Sequence, residues 1–140
     1  MKEELYHQAL VARAQAGRSR GRLDRPDRTV TLDNPLCGDR VTLDLKIVDG
    51  RVVDVGHQVR GCLLCEAAAE TIGQHGPGKT AIELSKAGIA IADMLREGVS
   101  APEGEWSCLA VFAPVQYVKS RHDCVLLPFE ALAKTLACNA

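Results

Sequence analysis

The chain has 140 residues, of which 46% are hydrophobic and 25% are charged, and its formal net charge is −1. These values are typical of one globular domain and exclude a disordered chain, and the near-neutral charge disfavours a strongly basic nucleic-acid-binding protein. Because no run of about 18 apolar residues is present and the amphipathic start lacks the apolar centre of a secretory signal, we expect a cytoplasmic protein with no membrane span and no nucleic-acid partner.

The first half of the chain predicts one helix followed by a small sheet. Apolar residues at helical spacing predict a helix over 2–16. An arginine-rich loop follows at 17–28, and its arginines are expected either to form Arg–Asp pairs on a solvated connection or to present a surface to an acidic partner. Alternating apolar residues predict strands over 29–33, 41–48 and 51–59. Asp49-Gly50 predicts a two-residue hairpin between the second and third strands.

The alternation in the third predicted strand places four residues on one face: Val53, Val55, His57 and Val59.

The second half of the chain is predicted to be mostly helical. Helices are then expected over 62–73, 80–97, 106–112 and 121–137. Strands followed by helices indicate an α+β fold, in which helices pack against one face of a three-stranded antiparallel sheet within a single domain, residues 1–140.

Cysteines are the residues most informative about function. There are six of them: Cys37, Cys62, Cys65, Cys108, Cys124 and Cys138. Thiols stay reduced in the cytoplasm, so metal binding or thiol chemistry is favoured over disulfides in a chain that has its own core.

Four residues at the ends of predicted elements form a candidate metal site. Cys37 and Asp39 flank Gly38 in a loop, Cys62 opens a helix, and Cys124 lies near the start of the last helix. Three thiolates and one carboxylate provide four ligands for zinc or for an iron–sulfur cluster. On spacing alone, the alternative is that these cysteines are buried as small apolar side chains.

Three sequence blocks resemble the signature of the IscU/SufU/NifU N-terminal scaffold family. They are NPLCGD at 34–39, RGCLLCEAAAE at 60–70 and RHDCVLL at 121–127. The long separation between the second and third blocks, and the position of Arg121 three residues before Cys124, resemble the SufU type.

This resemblance implies an α+β fold and a role in iron–sulfur cluster assembly. The implied partners are a cysteine desulfurase and apo iron–sulfur acceptor proteins, with catalytic turnover in the desulfurase. The implied metal ligands are Cys37, Asp39, Cys62 and Cys124. Bound zinc would indicate a persulfide sulfur acceptor that reacts at Cys37, whereas a bound cluster would indicate a scaffold. Arg121 is a candidate for an assisting positive charge.

Several residues keep more than one interpretation. Cys65 lies one helical turn after Cys62 and is an auxiliary ligand, a resolving thiol or a packed helix residue. His122 is either a ligand or proton shuttle or has no role at the site. Cys108 and Cys138 are expected to be structural.

Two other functions remain as alternatives. The first is a zinc enzyme with an open coordination position, which requires a substrate pocket at the metal. The second is a nucleotide-binding protein, because Gly73–Thr80 approaches the phosphate-loop pattern with its Lys79. That segment is one residue too short between its glycines, and it follows a predicted helix where a phosphate loop follows a strand.

Overall fold

The computed structural model describes residues 2–36 and 38–137. Its elements are α1 (Lys2–Arg18), β1 (Arg28–Asn34), β2 (Asp39–Val48), β3 (Arg51–Arg60), α2 (Leu63–His75), α3 (Ala81–Glu97) and α4 (His122–Ala137). Two 3-10 helical segments, Gly104–Tyr117 and Lys119–Arg121, connect α3 to α4. Within the described part of the chain, no helix combines the length and the apolar character that a membrane crossing requires.

The three strands form the antiparallel meander that the sequence predicts, in the order β1-β2-β3. At the β2–β3 turn, both Asp49 and Gly50 have positive φ, at 51° and 76°. A two-residue type I′ turn needs positive φ at both positions, and Asp-Gly is one of the pairs that tolerate it. The hairpin prediction is therefore confirmed at the level of backbone conformation.

The prediction of which β3 residues share a face is wrong for one residue, Val53. Val53 is 45% exposed, whereas Val52, Val55 and His57 are buried. Lys46 pairs with Asp54 while the adjacent Ile47 pairs with Val52, so Val53 is an extra residue in β3. This bulge shifts the alternation by one position, which a strict period of two cannot predict.

The core lies between the sheet and the helices. α4 packs on β1 and β2 and also contacts α2 and α3, while α1 packs on α2. The inward face of β2 contributes three fully buried residues, Val41, Leu43 and Leu45. Burial of each such side chain stabilises the fold by about 1.5–3 kcal/mol. The structure thus confirms the α+β class with a three-stranded sheet.

Helix ends differ from the sequence predictions by one or two residues, with one larger exception. α3 begins after Thr80, whose side chain and that of Glu83 form a reciprocal capping box. The exception is the short helix predicted over 106–112, which is part of the longer 3-10 segment. Pro114 lies inside that segment and lacks the N–H that a continuing α-helix needs.

The arginine-rich loop is fixed to the framework by three ion pairs. We call residues 18–22 the arginine strap. Its arginines bind acids of α2 and β2, with Nε to carboxylate distances of 2.8 Å for Arg18–Glu66, 2.6 Å for Arg20–Glu70 and 2.6 Å for Arg22–Asp44. The predicted pairing of arginines is therefore present, but the partners lie outside the loop and Asp44 and Glu70 are buried.

A glycine in β3 allows the strap to lie against the sheet. A Cβ at Gly56 would come within 2.6 Å of the Leu23 backbone nitrogen, so a larger residue there would push the chain away. Beside it, the His57 backbone N–H donates to the Gly21 carbonyl oxygen at 2.9 Å. The strap and the following Leu23 thus lie directly over β3 beside Gly56 and His57.

Glu70 is the centre of a buried polar network under the strap. It receives hydrogen bonds from Arg20, from the Gln74 side chain at 3.1 Å and from His57 Nε2 at 3.0 Å. Burial alone would raise the pKa of Glu70, but these hydrogen bonds together hold its pKa below the ordinary value of 4.5. Burial lowers the pKa of His57, which favours the neutral ring, and Nε2 is then the nitrogen that donates to the Glu70 carboxylate.

Replacement of Glu70 by glutamine tests this network. At pH 7 we expect Glu70→Gln to lower the free energy of unfolding by about 2–3 kcal/mol, because Arg20 and His57 lose a buried charged acceptor. Since the pKa of Glu70 is lowered on folding, its contribution is complete above 4.5 and is lost as the pH falls through the lowered value. Urea unfolding at several pH values measures both effects.

The matched control is Glu66→Gln, because Glu66 pairs with Arg18, an arginine whose side chain is mostly exposed. We expect a much smaller change in stability for this variant, since solvent screens an exposed pair. Equal losses in the two variants would contradict the special role of Glu70.

Candidate metal centre

Asp39 is the first residue of β2 and is brought inward by a tight β1–β2 connection. The side chain of Asn34 accepts the Leu36 N–H at 3.0 Å, and the Asn34 backbone carbonyl accepts the Gly38 N–H at 2.8 Å. Gly38 has φ of +75°, a conformation that glycine adopts without strain. The carboxylate of Asp39 is then buried at 3% exposure.

Cys62 is the residue that caps the start of α2. Its backbone is extended, with φ of −78° and ψ of 166°, and its N–H donates to Asp39 Oδ1 at 3.2 Å. Its Sγ lies 3.9 Å from Asp39 Oδ2. The start of α2 is therefore attached directly to the start of β2.

Cys124 lies in the first turn of α4 and is buried at 1% exposure. Burial raises the pKa of its thiol, and hydrogen bonding to Cys62 and Asp39 raises the pKa further. A bound cation acts in the opposite direction, because it favours the thiolate.

These three side chains converge on one point. One ligand atom from each of Asp39, Cys62 and Cys124 lies within 4.8 Å of the other two. Zinc binds thiolate sulfur at about 2.3 Å and carboxylate oxygen at about 2.0–2.2 Å, so tetrahedral ligands lie somewhat less than about 4 Å apart. The observed spacing needs only small side-chain movements to satisfy that geometry.

The surroundings of Asp39 also fit a cation. Two other buried aspartate or glutamate side chains, Asp44 and Glu70, each bind an arginine of the strap. The partners that the described residues offer to Asp39 are the Cys62 N–H and the thiols of Cys62 and Cys124. A buried carboxylate is stabilised by a paired charge or by a metal, and here the neighbours are thiols, which can bind a metal.

The sequence alone does not show why residue 61, next to Cys62, must be a glycine. A Cβ at Gly61 would overlap the Asp39 carboxylate, with the carboxylate carbon only 2.7 Å away. The carboxylate thus occupies the space that any other side chain at this position would take. Only the three-dimensional pairing of β2 with the end of β3 reveals that contact.

The remaining predicted site residues have different outcomes. Cys37 lies outside the described residues, so its place in the ligand set stays a prediction. Arg121 is exposed at the end of the 3-10 turn before α4. His122 Nε2 lies 3.1 Å from the carbonyl oxygens of Val115 and Gln116, and because carbonyls only accept, this nitrogen donates.

Other cysteines do not join the three ligands. Cys65 is fully buried in α2 and is not a member of the group of converging ligand atoms. Cys108 is half-buried in the 3-10 segment, where its Sγ lies 3.9 Å from the Glu105 carbonyl oxygen. Cys138 lies outside the described residues.

The segment that approaches a phosphate-loop pattern has a different structure. It spans the end of α2 and the turn into α3, so no strand precedes it. Lys79 donates to the His75 carbonyl oxygen at 3.0 Å, and its Nζ lies 5.7 Å from the centre of the Trp106 ring. Its ammonium group is thus engaged within the protein, as expected of a helix-to-helix turn.

Comparison with known proteins identifies the family. Residues 5–115 match the NifU-like N terminal domain. The chain is 28% identical over 134 residues to the iron-sulfur cluster assembly scaffold protein IscU of Thermotoga maritima, covering 94% of this chain and 92% of that protein. It is also 28% identical over 138 residues to the zinc-dependent sulfurtransferase SufU of Bacillus subtilis, covering 96% of this chain and 91% of that one.

A solved structure agrees with this assignment. The N-terminal NifU-like protein of Brucella abortus superposes with a TM-score of 0.84 at 37% sequence identity, covering 91% of this chain and 88% of that one. The family match includes Asp39 and Cys62, and the alignments with IscU and SufU extend over nearly the whole chain. The chain therefore belongs to the NifU-like N-terminal domain family, which the IscU and SufU resemblance predicted.

Proposed function

We propose that this chain is an iron–sulfur cluster assembly protein that binds a metal through Asp39, Cys62 and Cys124, with Cys37 as the fourth ligand. The observation that carries this proposal is the convergence of the first three side chains from the starts of β2, α2 and α4. It is supported by the relatives, one of which is named a cluster assembly scaffold and another a zinc-dependent sulfurtransferase.

The reaction proposed for this chain is acceptance of sulfur from a cysteine desulfurase. The Cys37 thiolate attacks the outer sulfur of the desulfurase persulfide, a new S–S bond forms, and the electron pair of the broken bond returns to the desulfurase thiolate. A bound metal would keep the ligand thiols deprotonated. Arg121, exposed three residues before Cys124, is proposed to attract the anionic persulfide.

Zinc and an iron–sulfur cluster place different demands on the same ligands. A carboxylate is a harder ligand than a thiolate and suits iron–sulfur clusters less well. If the cluster is cargo, Asp39 is the weak ligand that lets it leave for an apo acceptor protein. Elemental analysis of the anaerobically purified protein distinguishes zinc from iron with sulfide.

The two alternative functions have less support. An open-site zinc enzyme needs a substrate pocket at the metal, and none of three cavities, of about 370, 330 and 340 Å³, is lined by Asp39, Cys62 or Cys124. A nucleotide-binding protein needs a lysine that reaches phosphate, whereas Lys79 contacts the His75 carbonyl and the Trp106 ring.

Gly61→Ala tests the metal site without changing a ligand. The new methyl group must displace the Asp39 carboxylate, so we expect zinc affinity to fall by about 10–100-fold, as for other changes that misplace a ligand. Competition with a chromophoric chelator measures the affinity. Gly88→Ala is the control, because nothing lies within 4 Å of its Cβ position. Unchanged zinc affinity in Gly61→Ala would argue against Asp39 as a ligand.

Cys37→Ser tests the acceptor role. We expect this variant to fold normally and to lose stimulation of a cysteine desulfurase, because a serine hydroxyl does not attack a persulfide at neutral pH. Sulfide production in the presence of a thiol reductant measures stimulation, with Cys108→Ser as the matched control. Full stimulation by Cys37→Ser would rule out sulfur acceptance at this residue.

Asp39→Ala tests the weak-ligand argument. After cluster reconstitution, we expect slower cluster transfer to an apo-ferredoxin, since the hard carboxylate no longer loosens the ligand set. The visible absorption of the recipient protein follows the transfer. The same transfer rate as in the unmodified protein would refute this role of Asp39.

A further inference from the structure

The two cysteines at the start of α2 differ in their exposure to solvent. Cys62 is half-buried at the helix cap, whereas Cys65, three residues later, has no exposed surface. A sulfur donor from outside can therefore approach Cys62 but not Cys65. Cys65 is also not one of the converging ligand atoms, so a bound metal does not occupy it directly.

Cys62 and Cys65 occupy the cap and the third position of α2, which are the positions of a capping box in α3. Thr80 and Glu83 occupy the equivalent cap and third positions of α3, and Thr80 has φ of −84° and ψ of 167°, close to the angles of Cys62. There the Thr80 hydroxyl lies 3.1 Å from the Glu83 carboxylate. Residues three apart at a helix start are neighbours, and a disulfide spans Cα separations of about 4.4–6.8 Å, so a bond between Cys62 and Cys65 requires rotation of the side chains and no unwinding of the helix.

We propose that Cys65 reduces a persulfide on Cys62 and releases its outer sulfur as sulfide. This inference rests on the proposed function, which supplies the sulfur from a persulfide donor, directly or by exchange from Cys37. It adds an activity at the same site, because cluster assembly consumes sulfide whereas a desulfurase delivers sulfur at the oxidation level of a persulfide.

The step balances without an added reductant. Once Cys62 is released from the metal and carries a persulfide, the Cys65 sulfur attacks the inner sulfur, and a Cys62–Cys65 disulfide forms as the bond to the outer sulfur breaks. The outer sulfur leaves with the electron pair and takes the Cys65 proton, so it departs as hydrosulfide. The two cysteine thiols are oxidised to the disulfide, and the outer sulfur is reduced to sulfide. A dithiol must reduce the disulfide before the next round.

Treatment of the reduced protein, after removal of metal with a chelator, with sodium tetrasulfide under anaerobic conditions tests this step. The released sulfide is measured in the same mixture against a protein-free blank. Mass spectrometry after alkylation without reductant identifies the state of the peptide that contains Cys62 and Cys65. For the unmodified protein we expect about one sulfide per chain and a peptide that has lost two hydrogen atoms through its disulfide.

Cys65→Ser is expected to retain one extra sulfur atom on Cys62 and to release about tenfold less sulfide. Cys65→Ala, which carries no polar group into the core, is expected to give the same result and guards against a folding defect of the serine variant. Cys108→Ser is the matched control and is expected to match the unmodified protein.

Sulfide release by both Cys65 variants at the unmodified level would overturn the proposal, as would a disulfide that joins Cys62 to Cys124. The tetrasulfide assay contains no desulfurase. A negative result in this assay therefore contradicts the Cys65 step alone, whereas the Cys37→Ser assay tests the proposed function separately.

Discussion

The contact between the Asp39 carboxylate and the start of α2 is the constraint on which the candidate site depends. One oxygen of Asp39 accepts the Cys62 N–H at 3.2 Å, and the carboxylate lies where a side chain on Gly61 would otherwise be. Because the contact joins the first residue of β2 to the cap of α2, it fixes a carboxylate and a thiol relative to each other. Cys124 then approaches the same point from α4, which packs on the sheet beside them.

Three carboxylates are buried among the residues whose side chains the structure describes, and they show two solutions to the same problem. Asp44 and Glu70 are neutralised by arginines that come from the strap, and Arg22 and Arg20 hold them with bidentate hydrogen bonds. Asp39 instead lies among thiols. A buried charge without a partner is costly, so the first two acids are structural and the third favours a cation. The difference between a structural and a functional acid lies in the neighbours.

The sequence predicted the regular parts of the fold because they follow local rules. The Asp49-Gly50 turn, the strand order and the helices that flank the site all arise from short-range patterns. It could not predict the bulge at Val53, since a register shift depends on pairing between strands. Nor could it predict that Arg20 would pair with Glu70, because the two residues lie in different elements and meet only when the strap crosses β3.

The same distinction holds for the candidate site. The residue types and the motif order were enough to select Asp39, Cys62 and Cys124, and the structure brings all three together. The contact that makes Gly61 necessary is not visible in the sequence, since it depends on where the Asp39 side chain points. His122 was a candidate because of its position beside Cys124, yet its Nε2 is directed to two backbone carbonyls.

Burial differs from one side of the site to the other. Leu36, two residues before Gly38 in the β1–β2 connection, is 90% exposed, and Cys62 is half-buried, whereas Cys124 and Asp39 are buried. The inner ligands are held by elements whose movement would disrupt packing of the sheet against α4. The side at Cys62 is reached by solvent, because this residue lies at the cap of α2. For the proposed function, this arrangement would hold a metal from the buried side and leave Cys62 on the side that a partner protein can reach.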